Sequence, residues 1–309
     1  MNLEHGMPPK RNNLLNRLQG NIAVKSAVRE FEYDLVVVGG GPVGLTAAQA
    51  ATSVGISSII IDGTPKSLVQ FTGPTGIFSK ALRDTAKKID VSTLRGMGLR
   101  DTVVWRQVQY MTSDVLRTNG LKNLRDMQFK HIPHLRGNAS FVDSSTLSIK
   151  QDGSNSVDVA GKKILIATGS TAYRLPSIPY DNSVVFDSDT IKGLSFLPKS
   201  VTIIGAGIIA VEYARIFTKL QCRVTMIVRQ RSLDVAFKRI GIDHEIAVQL
   251  QKDLNLNKVR IIFNAQVSAV EKPAGYFDER SESRRALVLK LTTPEGKPHP
   301  TTEIRSEVK

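Results

Sequence analysis

Apolar residues in this chain fall into two patterns: short runs that end in glycine, and longer stretches where they recur every three or four positions. Leu35-Val36-Val37-Val38 runs into Gly39-Gly40-Gly41-Pro42-Val43-Gly44, and Val201-Thr202-Ile203-Ile204 runs into Gly205-Ala206-Gly207-Ile208-Ile209-Ala210. A short β-branched run bounded by turn residues reads as a buried strand, and period 3.6 reads as a helix. The pattern predicts a strand at Tyr33–Val38, a helix over 42–53 and a strand at Ser58–Asp62, together one βαβ unit. It repeats with a strand from Val201, a helix over 210–220 and a strand at Arg223–Val228. Helices are predicted over 80–90, 102–121 and 242–254. Hairpin strands are predicted within 131–149, and further strands at 163–167 and 259–263. Residues 173–200, with Pro176, Pro179 and Pro198, read as a connector, and the polar stretch 278–285 as an exposed hairpin tip. The expected architecture is α/β with two Rossmann-like units. It divides into a basic extension (1–30), a first unit (31–172), the connector (173–200) and a second unit (201–309).

The glycine turns carry the chemistry. Both fit G-x-G-x-x-G/A between a strand and a helix, where the glycines permit a tight turn and close approach of a pyrophosphate to the helix N-terminus. Gly39, Gly41 and Gly44 form one candidate site, and Gly205, Gly207 and Ala210 the other. A carboxylate ending the second strand accepts hydrogen bonds from ribose hydroxyls and repels a 2′-phosphate. Asp62 stands there in the first unit, which suits FAD or NAD(H). Val228 stands there in the second, followed by Arg229 and Arg231. Guanidinium groups match phosphate geometry, so this unit is expected to take NADP(H).

Composition narrows the remaining classes. The 309 residues are 41% hydrophobic and 23% charged, with a formal net charge of +14. No aromatic-basic cluster or zinc spacing accompanies that excess, so nucleic acid is not an expected partner and anionic nucleotides are. Residues 35–61 carry no charge, but Gly39 to Gly44 and Pro42 break them into strand, turn and helix, and no membrane span is expected. Cys222 is the one cysteine, so no intrachain disulfide forms, and its place before a strand reads as core. His131, His134 and His244 make neither a metal spacing nor a catalytic triad, and no metal is expected. The segment before Glu30 is basic with no secretory apolar core. It reads as a tail of a cytoplasmic protein or, alternatively, as an organellar (mitochondrial or plastid) presequence.

These motifs resemble the class I pyridine nucleotide-disulfide oxidoreductases, flavoproteins that hold FAD and a nicotinamide nucleotide on two Rossmann-like domains of three-layer ββα form. The resemblance is carried by residues 34–44, Ser79-Lys80-Ala81-Leu82, Ala167-Thr168-Gly169-Ser170 and the stretch from Gly205 to Ala214. Residues 79–83, 137–143 and 186–191 are similar to the soluble transhydrogenase branch. The resemblance implies FAD contacts at Lys80, Ala139, Thr168 and Gly169. It also implies a catalytic pair, Lys80 and Glu212, beside the flavin. Where the family carries its redox-active cysteines this chain has Phe71 and Gly76, which removes the dithiol relay. The family pattern continues past Lys309 with a last strand, a segment that closes over FAD and a homodimerisation domain. None of these lies in this sequence, so the first unit is expected to be incomplete. The implied function is FAD-dependent hydride transfer between NADPH and NAD⁺. The alternatives are a non-catalytic FAD/NADP(H)-binding or sensing module, or another flavin-dependent NAD(P)H oxidoreductase.

Overall fold

The structure is a computed structural model that describes residues 32–63, 75–151, 156–272 and 286–307. The extension 1–30, Phe71 and the stretch 278–285 lie outside the described residues. The first half runs β1 (Tyr33–Val38), α1 (Pro42–Ser53), β2 (Ser58–Asp62), α2 (Thr75–Ala86), α3 (Val91–Gly96) and α4 (Asp101–Phe129). It continues with β3 (His134–Arg136), β4 (Asn138–Phe141), β5 (Thr146–Lys150) and β6 (Val157–Ile166). The strand order is β3-β2-β1-β6-β5-β4. β3, β2, β1 and β6 are parallel neighbours, while β4, β5 and the start of β6 form an antiparallel meander. Val36, Val37 and Ile60 are fully buried, as expected for parallel strands covered on both faces.

The second half repeats the plan with β7 (Ser200–Ile204), α5 (Ile208–Lys219), β8 (Arg223–Ile227), α6 (Leu233–Lys238), α7 (His244–Leu256) and β9 (Arg260–Ile262). Its parallel sheet has the order β7-β8-β9, so β7 is an edge strand among the described residues. A second antiparallel meander follows: β10 (Gln266–Glu271), β11 (Ala286–Thr292) and β12 (Pro298–Glu307). Among the described residues no helix is long and apolar enough to cross a membrane, and no group of three His, Cys, Asp or Glu is placed to hold a metal.

One hydrophobic core joins the halves. Leu82 of α2 and Val104, Trp105 and Val108 of α4 pack in the same cluster as Val211, Phe217 and Met226. Buried positions of α4 recur at 104, 108, 112, 116 and 120, one stripe of the helix. Trp105 is fully buried and donates its indole N–H to the carbonyl of Leu194, which also accepts from Gln109 Nε2 at 3.0 Å.

The connector is held by three aspartates more than by regular structure: Asp181 Oδ1 accepts from the backbones of Ser183, Val184 and Val185, each at 2.9 Å, and Asp187 and Asp189 hold the rest. Asp187 Oδ1 accepts from the Thr190 backbone (2.8 Å) and hydroxyl (2.9 Å) and from the Asp189 backbone (2.9 Å), and Oδ2 accepts from Arg174 Nε at 2.6 Å. Asp189 Oδ2 accepts from the Ala172 backbone at 2.9 Å, which ties the connector to the chain leaving β6.

Several elements differ from the sequence reading. α2 starts at Thr75, and α4 runs to Phe129 because its buried stripe continues to Met127. β3 is not a hairpin strand; it pairs parallel with β2 through Ile60↔His134 and Asp62↔Arg136. β6 is longer than the run 163–167 and only partly buried: Ile166 at its end is 64% exposed. α6 and the second meander add elements that the apolar pattern did not mark.

Two outcomes follow from this packing. Trp105→Ala is expected to cost about 3–5 kcal/mol in urea unfolding, through the cavity it leaves. Trp105→Phe is expected to cost about 1–2 kcal/mol, because Gln109 still serves the Leu194 carbonyl. Partial burial works against ionisation of Asp187, but the hydrogen bonds from Arg174, Thr190 and Asp189 outweigh it and hold the carboxyl below its usual range. That contribution is complete above the unfolded-state value near pH 4 and is lost as pH falls through the lower folded value. The melting temperature should therefore drop on acidification through that window, and Asp187→Asn should flatten the drop.

Candidate functional site

In the first turn the glycines are demanded by neighbouring backbone. Gly39 has φ +112°, and a Cβ there would lie 2.3 Å from the carbonyl oxygen of Ala167. A Cβ on Gly44 would lie 2.0 Å from the carbonyl oxygen of Gly39. The turn cannot relax away from these contacts, because Gly39 N–H donates to Ile61 O at 2.7 Å and Ala167 N–H donates to Val38 O at 2.8 Å. Gly41 is the N-cap of α1, Pro42 opens the helix, and no side chain caps it. The N–H groups of that first turn are thus left for a ligand, and the glycine cradle fits a dinucleotide pyrophosphate.

Of the other residues expected here, Asp62, Ala139, Thr168 and Gly169 lie on or just past strands of the sheet that carries this turn, whereas Lys80 lines a separate groove. Asp62 ends β2 beside β1, one residue past the Val38↔Ile61 pair. Strand order alone would place Ala139 on β4 at the far edge of the sheet. The meander instead curls back: Gly137 N–H donates to Asp62 O at 3.1 Å, and a Cβ on Gly63 would lie 2.4 Å from Asn138 Oδ1. Thr168 and Gly169 leave β6 in exposed positions beyond Ala167.

The second turn has the same plan in open space. Gly205 has φ +117° and Gly207 is the N-cap of α5, with no capping side chain. No atom lies within 4 Å of a Cβ on either glycine. In front of them is a cavity of about 900 Å³ whose wall includes Ala206, Ala210, Arg229, Gln230, Arg239 and Ile240. Val228, the counterpart of Asp62, is fully buried and offers this cavity no polar group. Arg231 is exposed and is not among the lining residues. It precedes Ser232, whose hydroxyl accepts from the Val235 backbone at 3.2 Å and caps α6. Arg239, at the end of α6, went unmarked because nothing in a linear reading shows that this short helix turns its C-terminus back to the cavity. The same cavity also runs along Ser200 to Ile204 and reaches Leu287 and Leu289 of the meander, so only its mouth faces the glycine turn.

Lys80 and Glu212 line one groove of about 510 Å³ between α2 and α5. The Glu212 carboxylate accepts from the Ser79 hydroxyl at 2.9 Å through Oε2, and its Oε1 lies 3.9 Å from Arg83. Ser79 is buried, which keeps that hydrogen bond away from water. Ser79 and Arg83 are the partners that sequence reasoning missed; they stand four residues apart on one face of α2, but nothing local in the sequence sets Glu212 opposite them. The Cys222 thiol is buried, and burial pushes it up to about 12.

The two turns predict different responses to the same substitution. Gly44→Ala is expected to destabilise the fold by about 1–3 kcal/mol, since its methyl meets backbone that the sheet holds in place. Gly207→Ala is expected to leave the urea midpoint within about 0.5 kcal/mol of wild type while weakening nucleotide binding. Paired urea titrations and binding titrations check both.

Comparison with known proteins agrees with this fold. The sequence profile of the family described as pyridine nucleotide-disulphide oxidoreductase matches residues 33–292. The chain is 30% identical over 252 residues to the soluble pyridine nucleotide transhydrogenase of Azotobacter vinelandii, covering 78% of this chain and 52% of that protein. It is 32% identical over 247 residues to the one of Hahella chejuensis, with the same coverage. The chain thus spans about half the length of the curated relatives it matches. Its fold is similar to that of the HOCl-induced flavoprotein disulfide reductase RclA from Escherichia coli, with a TM-score of 0.61 at 22% identity over 90% of this chain and 55% of that one. It is likewise similar to LpdA from Mycobacterium tuberculosis, with a TM-score of 0.62 at 19% identity over 88% and 56%. The chain belongs to the pyridine nucleotide-disulphide oxidoreductase family.

Proposed function

We propose that this chain carries the two dinucleotide sites of a cytoplasmic, FAD-dependent oxidoreductase that transfers hydride between NADPH and NAD⁺ without a redox-active disulfide. The observation that carries this reading is the asymmetry of the sites. Asp62 stands at the end of β2 in the first, whereas the second has a buried Val228 with Arg229 and Arg239 on the cavity wall. The relatives named as transhydrogenases support the reaction class.

FAD, when bound, would supply the hydride-accepting and hydride-donating chemistry. The chain's own part is binding and electrostatics. The Gly39–Gly44 turn and the N-terminus of α1 hold the pyrophosphate of FAD, and Asp62 accepts hydrogen bonds from its ribose. Ala139, Thr168 and Gly169 border that site. The Gly205–Gly207 turn with Ala210 holds the nicotinamide nucleotide, and Arg229 with Arg239 binds the 2′-phosphate of NADP(H). Arg231 acts at longer range. Lys80 puts positive charge where negative charge develops, and Glu212, anchored by Ser79, orients it.

The expected binding follows. Arg229→Gln and Arg239→Gln should each weaken NADPH binding about tenfold, the worth of a hydrogen bond to a charged group, and leave NADH unchanged. Arg231→Gln should change NADPH affinity by less than about threefold. Fluorescence titration of NADPH and NADH reads all three. Supplied with FAD, the wild-type protein should be yellow and reduce an NAD⁺ analogue with NADPH. A protein that stays colourless and binds NADPH alone would sink the proposal.

A further inference from the structure

The groove that holds Lys80 and Glu212 continues past them, and its far end has no part in the proposed hydride transfer. Lys80 and Arg83 follow one face of α2, Lys87 stands in the turn just past its end, and Arg215 and Lys219 follow one face of α5. All five line the same 510 Å³ space, a volume suited to a small molecule. Glu212 is the one carboxylate on that lining, and its oxygens already face Ser79 and Arg83. The other acids near these cations sit outside the lining. Asp84 is 3.2 Å from Arg83 and 3.6 Å from Lys87, and Asp253 is 3.1 Å from Arg215. The Asp84 pairs are exposed and hold their cations weakly, whereas Asp253 is about one-third exposed and holds Arg215 at the edge of the groove.

The floor of the groove is apolar. Ile208 is 67% exposed, Ile242 and Leu250 are half-buried, and Phe237 closes the bottom. A solvated basic face has no use for such a floor, and an apolar contact site has no use for five cations. An amphiphilic anion uses both. Arginine and lysine from facing walls chelate a phosphate, and the aliphatic floor takes the body attached to it.

We infer that the groove between α2, α5 and α7 is a binding site for a small organic phosphate, with its head between the α2 and α5 cations and its apolar body on Ile208, Ile242 and Leu250. Such a ligand touches both halves of the molecule at once and therefore fixes the spacing of α2 and α5 beside Glu212. It also accounts for part of the +14 charge that the nucleotide sites leave over.

1-Naphthyl phosphate titrated into the intact protein at low salt tests this by calorimetry. Saturable binding is expected. Inorganic phosphate and 1-naphthol, which carry the charge or the ring alone, should each bind at least tenfold more weakly, and 1-naphthoate distinguishes a phosphate from a generic anion. Lys87→Glu and Lys219→Glu should each weaken 1-naphthyl phosphate at least tenfold. Arg117→Glu, the same charge change on the exposed face of α4, should not. Circular dichroism and NADPH affinity should match wild type in all three variants, which separates this site from the nucleotide site. Equal affinity in the Lys87→Glu and Lys219→Glu variants, equal binding of 1-naphthol, or no saturable binding overturns the inference.

Discussion

A side chain at position 39 would compete for space with the carbonyl oxygen of Ala167, and much of the first half is arranged around that constraint. β2, β1 and β6 converge on one point, where Gly39 N–H reaches Ile61 and Ala167 N–H reaches Val38. These backbone groups cannot yield without breaking the parallel ladder, so glycine is the solution at position 39. The same closeness brings the Gly39 carbonyl against position 44, where α1 leaves the turn. The helix N-terminus is thereby aimed over the ends of three strands, with Asp62 and the chain after β6 on either side.

The second turn reaches the same backbone shape under a looser constraint. Gly205 needs glycine because φ is +117°, yet nothing crowds its Cβ direction. β1 has a strand on each side, whereas among the described residues β7 pairs with β8 alone and also borders a cavity. A positive φ calls for glycine in both halves, at Gly39 and at Gly205, and close backbone packing adds a second constraint in the first half alone. The space left open admits Arg229 and Arg239 to the wall, and burial of Val228 keeps a carboxylate from opposing them. The 2′-phosphate preference proposed for this site would then rest on electrostatics at an open mouth, where salt screening is appreciable.

What the sequence made legible follows the range of the interactions involved. β1, α1 and β2 were readable to the residue because period and turn chemistry are local: β-branched runs, Pro42 at a helix start, glycine where φ is positive. Elements defined by distant partners were not. β3 is three residues long and exists through its pairing with β2. The apolar face of the second meander, with Val267, Leu287, Leu289, Leu291 and Ile304, is covered by Ile178 and Val185, which lie far away in the connector. The candidate site divides in the same way. The glycine positions and Asp62 were legible from motif and spacing, whereas Lys80 and Glu212 came through resemblance alone. Ser79 and Arg239 matter because of a fold-back that no local pattern encodes.

The seam between α2 and α5 is where those non-local facts meet. A carboxylate at a helix–helix junction has to be compensated, because desolvating it alone costs more than one surface contact returns. Glu212 meets that requirement with donors from the opposite helix, a buried hydroxyl and a guanidinium, so its orientation depends on the relative placement of the two halves. The shared core of Leu82, Trp105 and Phe217 fixes that placement. Sulfur has no share in it: the one cysteine is buried behind β8, with its thiol pushed up to about 12. Lys80, Arg83 and Glu212 are therefore set against one another across this seam, and the packing of Trp105 and its hydrogen bond to Leu194 help to hold the helices that carry them.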